Sequence, residues 1–166
     1  MSVRKTILTQ SQAEQKLHRM ALELAETLSG EDTPLVIIGV RRNGEVIAAQ
    51  LASYFSRYDN RPVHLRWIQM DKSRPNQVEL SADGDLTGLH LLLVDDVTNS
   101  GKTLLYALKP LLNQYPASIR TLVLVERMHK QFPVKADFVG LSVATTLQEH
   151  IQVEVAEGAV TGAYLQ

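Results

Sequence analysis

Apolar positions along this chain switch repeatedly between a two-residue and a helical spacing, and the switching predicts strands and helices in turn. A brief apolar–polar alternation from Val3 to Leu8 reads as a lead strand. Ser11-Gln12-Ala13-Glu14 then reads as a capping box, opening a helix whose apolar face is Ala13, Leu17, Met20, Ala21, Leu24 and Leu28. Gly30 to Pro34 ends it. Leu35 to Val40 is an uninterrupted apolar run, as expected of a strand covered on both faces, and Glu45 to Tyr54 follows as a helix packing Val46, Ile47, Ala49 and Leu51. A strand at Val63 to Met70 comes next. The polar stretch from Asp71 to Thr87 has no firm pattern, after which Leu91 to Val94 starts a second buried strand and Leu104, Leu105, Ala107 and Leu108 mark a helix ending between Pro110 and Tyr115. Arg120 to Glu126 is one more strand. Two short extended segments, Phe138 to Val143 and Ile151 to Val155, close the pattern and are assigned to a small hood. This order predicts the α/β class: a mainly parallel, twisted sheet flanked by helices through right-handed crossovers.

Composition narrows the picture. With 166 residues, 45% apolar and 21% charged, the chain suits one domain over 1–166 with a substantial core. The absence of cysteine excludes disulfides, thiolate metal sites and a cysteine nucleophile. No apolar run suggests a signal peptide or a membrane span, so a soluble, cytoplasmic protein is expected. Seventeen basic and eighteen acidic residues give a net charge of −1, which supplies no global field for nucleic acid. Arg4, Lys5, Lys16, His18 and Arg19 form only a modest basic patch, diluted by Glu14, Glu23 and Glu26 and without an interleaved aromatic.

Chemistry concentrates between Gly88 and Thr103. An apolar strand delivers Asp95 and Asp96 to its carboxyl end, and a turn rich in hydroxyls, Asn and Gly leads from there into a helix. Backbone N–H groups in such a turn suit a phosphate, while neighbouring carboxylates suit hydroxyls or a hydrated cation. A sugar phosphate meets both demands. A P-loop would need glycine five positions before Gly101, where Asp96 stands and would repel a polyphosphate. A second turn, Arg41-Arg42-Asn43-Gly44, brings two guanidiniums off the end of a strand; alone it fits a solvated turn as well as an anion site.

Taken together, Val94 to Thr103 resembles the phosphoribosyl pyrophosphate signature of type I phosphoribosyltransferases, with Ser100 where that family more often has Thr. Gly39 to Gly44 resembles the family's pyrophosphate loop, and Arg120 to Gly140 its late core strand and the approach to the base. The likeness spans about Ile7 to Val155 and is greatest to the PyrR subgroup of pyrimidine-operon regulators and uracil phosphoribosyltransferases. The resemblance implies a single-domain type I phosphoribosyltransferase fold with a small C-terminal/N-terminal hood at about 127–155 and a flexible loop at about 71–87.

It also implies the roles. Asp95 and Asp96 hold the ribose hydroxyls; Thr98, Asn99, Ser100, Gly101, Lys102 and Thr103 anchor the 5′-phosphate; Val40, Arg41, Arg42, Asn43 and Gly44 hold pyrophosphate, which Lys72 and Arg74 meet when the loop closes. Arg127, Phe138 and Val139 line the base. Magnesium is bound mostly by substrate and water, with Asp95 and Asp96 as candidate ligands. Purine-salvage members usually carry an acid where Asn99 stands, and an amide does not ionise, so uracil is the expected base. The alternatives are a purine (hypoxanthine or guanine) enzyme and a nucleotide-responsive RNA-binding regulator. Self-association as a dimer or tetramer is a further implication of the resemblance. His129 is expected at a surface turn and Trp67 in packing.

Overall fold

In the computed structural model, which describes residues 3–81 and 84–166, the chain builds two sheets. The larger has the order β4-β3-β2-β5-β6-β7, formed by β2 (Leu35–Val40), β3 (Val63–Met70), β4 (Val78–Leu80), β5 (His90–Thr98), β6 (Ser118–Arg127) and β7 (Phe138–Val143). All pairings in it are parallel except that of β4 with β3. A smaller antiparallel sheet joins β1 (Lys5–Thr9), β9 (Ala159–Leu165) and β8 (Ile151–Ala156) in that order.

The middle stretches of the central strands, Leu35 to Ile38, Leu91 to Val94 and Leu122 to Val125, are apolar without a break because both faces are covered. Leu35, Ile37, Leu92, Val94, Leu122 and Leu124 point into a core closed by α1 (Gln10–Thr27) and α2 (Asn43–Phe55). Their neighbours Val36, Ile38, Leu91, Leu93 and Val123 point the other way, against α3 (Lys102–Ala107) and α4 (Lys109–Leu112), through Leu104, Ala107 and Leu111. Arg61 fastens one end of this layer. Its buried guanidinium donates to the Leu28 carbonyl at 2.7 Å and the Thr33 carbonyl at 3.1 Å, satisfying main chain just past the C-terminus of α1.

Several local expectations are corrected. The capping box on α1 is Thr9 with Gln12, not Ser11 with Glu14: Thr9 Oγ1 accepts from the Gln12 N–H at 3.2 Å, and Gln12 Oε1 accepts from the Thr9 N–H at 2.9 Å. Both tetrads satisfy the pattern, and the earlier one begins where β1 ends. Helix α2 starts at Asn43 and buries Ile47, Ala48, Leu51, Ala52 and Phe55, leaving Ala49 exposed and Val46 half-buried. The helix after β5 is broken into α3 and α4. Within the polar stretch, β4 adds an edge strand and Pro75 and Leu86 are buried; residues 82 and 83 of the expected flexible loop lie outside the described residues. Phe138–Val143 belongs to the large sheet rather than the hood. It packs so tightly beside β6 that a Cβ on Gly140 would fall 2.3 Å from the Leu124 carbonyl oxygen. The second sheet instead takes β1 from one end of the chain and β8 and β9 from the other.

The two readings of α2 separate in a stability measurement. Leu51→Ala should cost about 2–5 kcal/mol in urea unfolding, whereas Ala49→Ser on the exposed face should stay within about 0.5 kcal/mol of wild type. Equal losses at both positions would reject the observed facing of the helix.

Candidate functional site

The carboxyl end of β5 is where the site forms, and glycine permits it. A Cβ on Gly44 would lie 2.6 Å from the Val94 carbonyl oxygen, so only glycine lets the first turn of α2 sit against β5 just before the two acids. A cavity of about 350 Å³ opens there, walled by Asn43, Lys72, Asp96, the run Val97 to Thr103, and Ile151 to Val153 of β8. Thus the structure brings together Asp96, Lys72, Asn43 and the whole run Thr98 to Thr103. Sequence reasoning missed the β8 wall, because a strand backbone facing a cavity leaves no mark on the pattern of its side chains.

The loop is held from behind. Gly101 adopts φ +86°, in the left-handed region, and the Ser100 carbonyl accepts N–H groups from both Gln131 and Phe132 at 2.9 Å. Lys102 N–H donates to Ser100 Oγ at 3.3 Å, while Thr98 Oγ1 is buried without a partner. Helix α3 has only 6 residues, so the anion-binding capacity lies in the loop's own N–H and O–H groups more than in a long helix dipole.

The paired acids are not equivalent. Asp95 is 1% exposed and stands behind the cavity wall; its Oδ1 accepts from the Asp96 N–H at 2.9 Å and lies 3.4 Å from Lys72 Nζ, and its Oδ2 has no partner. Burial above all, and then the charge of Asp96, push its carboxyl up to about 8, against the opposing pull of Lys72. Asp96 is half-buried and faces the cavity, with Oδ2 accepting from Asn43 Nδ2 at 2.9 Å and Oδ1 from the Val97 N–H at 2.7 Å. The expectation that both acids face one sugar is therefore corrected to Asp96 in front and Asp95 behind.

Other expected residues lie around this cavity or away from it. Arg41 and Arg42, joined by a cis peptide, border a neighbouring cavity of about 590 Å³, where Arg41 contacts Glu45 at 3.3 Å and Gln69 at 3.1 Å and lies over the Trp67 ring. Val40 is buried in the core. Arg74 lines a separate cavity with Asp71 and Glu79. Arg127 lines a further cavity of about 440 Å³ with His129, Thr145, Thr146 and Leu147, and this one shares Asn99 and Ser100 with the first cavity. His129, expected at a plain surface turn, thus borders a cavity.

Phe138 and Val139 are corrected: Phe138 is a core side chain, and Val139, half-buried, gives its carbonyl to Arg19 at 2.8 Å; neither is in the walls of the cavities at Asp96, Arg41 or Arg127. The basic patch is corrected as well. Arg4 pairs with Glu154, and Arg19 with Glu23 and two β7 carbonyls, but His18 stacks against Tyr54 and Tyr58, with Arg57 over Tyr54. Aromatics absent from the local sequence come from α2 and the residues just after it.

The raised Asp95 carboxyl has a stability consequence with a definite sign. Above its ordinary 3.8 the unfolded chain gives up a proton that the native state keeps to about 8, so the contribution is fully present at low pH and is lost as pH rises through that window. Asp95→Asn removes the titration. Its thermal midpoint should gain on wild type by at least about 3 °C between pH 4 and pH 8, roughly one kcal/mol for a domain of this size, and level off above. Parallel pH curves for the two proteins would refute the burial of this charge.

Comparison with known proteins agrees with this geometry. Residues 3–157 match the phosphoribosyl transferase domain model. The bifunctional protein PyrR of Limosilactobacillus reuteri is 31% identical over 163 residues, covering 91% of each chain. The PyrR of Thermus aquaticus is 33% identical over 151 residues, covering 85% of this chain and 83% of that one. Among solved structures, the hypoxanthine phosphoribosyltransferase of Trypanosoma cruzi superposes with a TM-score of 0.78 at 21% identity, over 95% of this chain and 94% of the other, a likeness of fold. Among the described residues no helix is long and apolar enough to cross a membrane. With the signature loop, the strand order and these matches in agreement, the chain belongs to the type I phosphoribosyltransferase family of pentosyl-transferring glycosyltransferases.

Proposed function

We propose that this chain transfers the 5-phosphoribosyl group of phosphoribosyl pyrophosphate to a nucleobase, with uracil as the base, giving UMP and pyrophosphate. The observation that supports this most is the meeting of two cavities at Asn99 and Ser100. A phosphate held by the loop Thr98 to Thr103 places its ribose against Asp96, and the neighbouring cavity lies on the base's side of that ribose. Arg127, Asn99 and the Thr145 hydroxyl, which has no partner, then border the base. Pyrophosphate leaves toward Lys72 and, with loop movement, toward Arg41, Arg42 and Arg74.

In this reading a base nitrogen displaces pyrophosphate from the anomeric carbon with inversion, through an oxocarbenium-like transition state; the C–N bond replaces the C–O bond to pyrophosphate, and the nitrogen's proton passes to the departing pyrophosphate or to water. Asp96 faces the developing positive charge, and the Asp95 carboxyl behind it adds negative potential in its ionised form. Among the described residues no three His, Cys, Asp or Glu side chains converge, so a magnesium ion here would take Asp96 as its nearest protein donor and the rest of its shell from substrate and water. Such an ion would supply neutralisation of the charge on the leaving group. Asn99 is exposed at the cavity junction, where an amide accepts and donates without titrating. That property favours uracil over the oxopurines whose enzymes in the family usually keep an acid there.

A second reading, a nucleotide-responsive RNA-binding regulator, rests on the His18, Tyr54 and Tyr58 stack beside Arg57. One assay orders the readings. Pyrophosphate release with magnesium should be fastest for uracil over hypoxanthine, guanine and adenine, and Asn99→Asp should raise purine turnover. A purine preference in the wild type overturns the base assignment alone; no release with any base, beside tight and salt-sensitive RNA binding, favours the regulator. The phosphate loop has its own check. Thr103→Val should raise KM for phosphoribosyl pyrophosphate about ten-fold or more, in line with a lost hydrogen bond to a charged group of about 1.5–3 kcal/mol, with the base KM little changed. A shift in the base KM alone would remove phosphate from this loop.

A further inference from the structure

Asn43 lies where three parts of the molecule meet, yet its amide is not free to hold a leaving group. Its Nδ2 donates to Asp96 Oδ2 at 2.9 Å and to the Val153 carbonyl of β8 at 2.9 Å, which uses both hydrogens of the NH₂ group. The reverse amide orientation would set oxygen against carboxylate and carbonyl together, so the hydrogen-bond pattern itself fixes the assignment of nitrogen. We propose that Asn43 is a positioning residue: it holds the Asp96 carboxylate toward the ribose and at the same time fastens the β8 wall over the cavity.

Asp96 needs such a holder. Its Oδ1 takes the N–H of the adjacent Val97 at 2.7 Å, a local contact that leaves rotation about the rest of the side chain open; the bond from Asn43 to the second oxygen closes that freedom. The holder is itself rigid, because Asn43 is the first residue of α2 and Gly44 seats that turn against the Val94 carbonyl. On the far side, Val153 is 4% exposed, so its carbonyl is anchored in a packed strand and does not follow solvent. Removing the amide therefore frees one carboxylate oxygen and one strand carbonyl in the same step.

This inference rests on the sugar-phosphate reading of the cavity, and its test separates the two. Ribose 5-phosphate and inorganic phosphate are titrated calorimetrically into wild type, Asn43→Ala, Asp96→Asn and the double variant. Asn43→Ala should weaken ribose 5-phosphate about ten-fold and leave inorganic phosphate unchanged, and in the Asp96→Asn background the same change should cost less than about two-fold. In turnover it should lower kcat about ten- to hundred-fold while KM for the base stays level. Asn43→Ser, keeping one donor, should recover part of the loss and serves where the alanine variant folds poorly. Equal weakening of both ligands, or losses that multiply in the double variant, overturns the positioning role in favour of a structural one. If the ligand titrations behave as expected while no base releases pyrophosphate, the transferase reading falls and the positioning role stands.

Discussion

The approach of α2 to β5 at Gly44 governs the geometry of this molecule's site. A helix normally keeps its backbone well away from a strand, the spacing being set by the side chains between them. Here the missing side chain lets the first turn of α2 touch the Val94 carbonyl and approach the Asp95 backbone, and from that turn Asn43 reaches Asp96. The same contact explains why a site rich in charge stands at the end of an apolar strand.

From that contact comes the unequal treatment of two neighbouring acids. Successive strand residues point to opposite sides, so Asp95 and Asp96 cannot share one environment. One keeps a proton into the neutral range because water is excluded from it; the other stays at the cavity, held by an amide and a backbone N–H. Lys72 approaches the buried member from the loop after β3, which ties the state of that loop to the charge behind the cavity.

Much of this was legible in the residues. The runs Leu35–Val40 and Leu91–Val94 announce doubly covered strands without ambiguity, and Asp95 to Thr103 announces a polar turn between a strand and a helix. What was not legible had physical causes. Thr9 and Ser11 both satisfy a capping box, and the choice depends on where a preceding strand ends. Phe138–Val143 has the same extended pattern in either sheet, and its place is decided by pairing with β6, a long-range fact. Arg41 shares a turn with Asn43, yet the backbone sends its guanidinium toward Gln69 and the amide toward Asp96. Tyr54 and Tyr58 come beside His18 only through the packing of α1 and α2.

The second sheet gains its meaning from the same helix. Neither β1 nor the β8–β9 hairpin would be stable alone, since two or three short strands bury too little apolar surface. Leu8, Val153, Val160 and Ala163 insert into the core beneath α1 and α2, and α2 holds the hairpin with two side chains: Asn43 at the Val153 carbonyl, and Gln50, whose Oε1 accepts from the Val160 N–H at 3.3 Å. Chain segments from both ends of the sequence are thereby fixed to the helix that also sets the acids. The Asn43 amide joins that wall to Asp96, so the rim of the cavity and strands from both ends of the sequence bear on one helix turn.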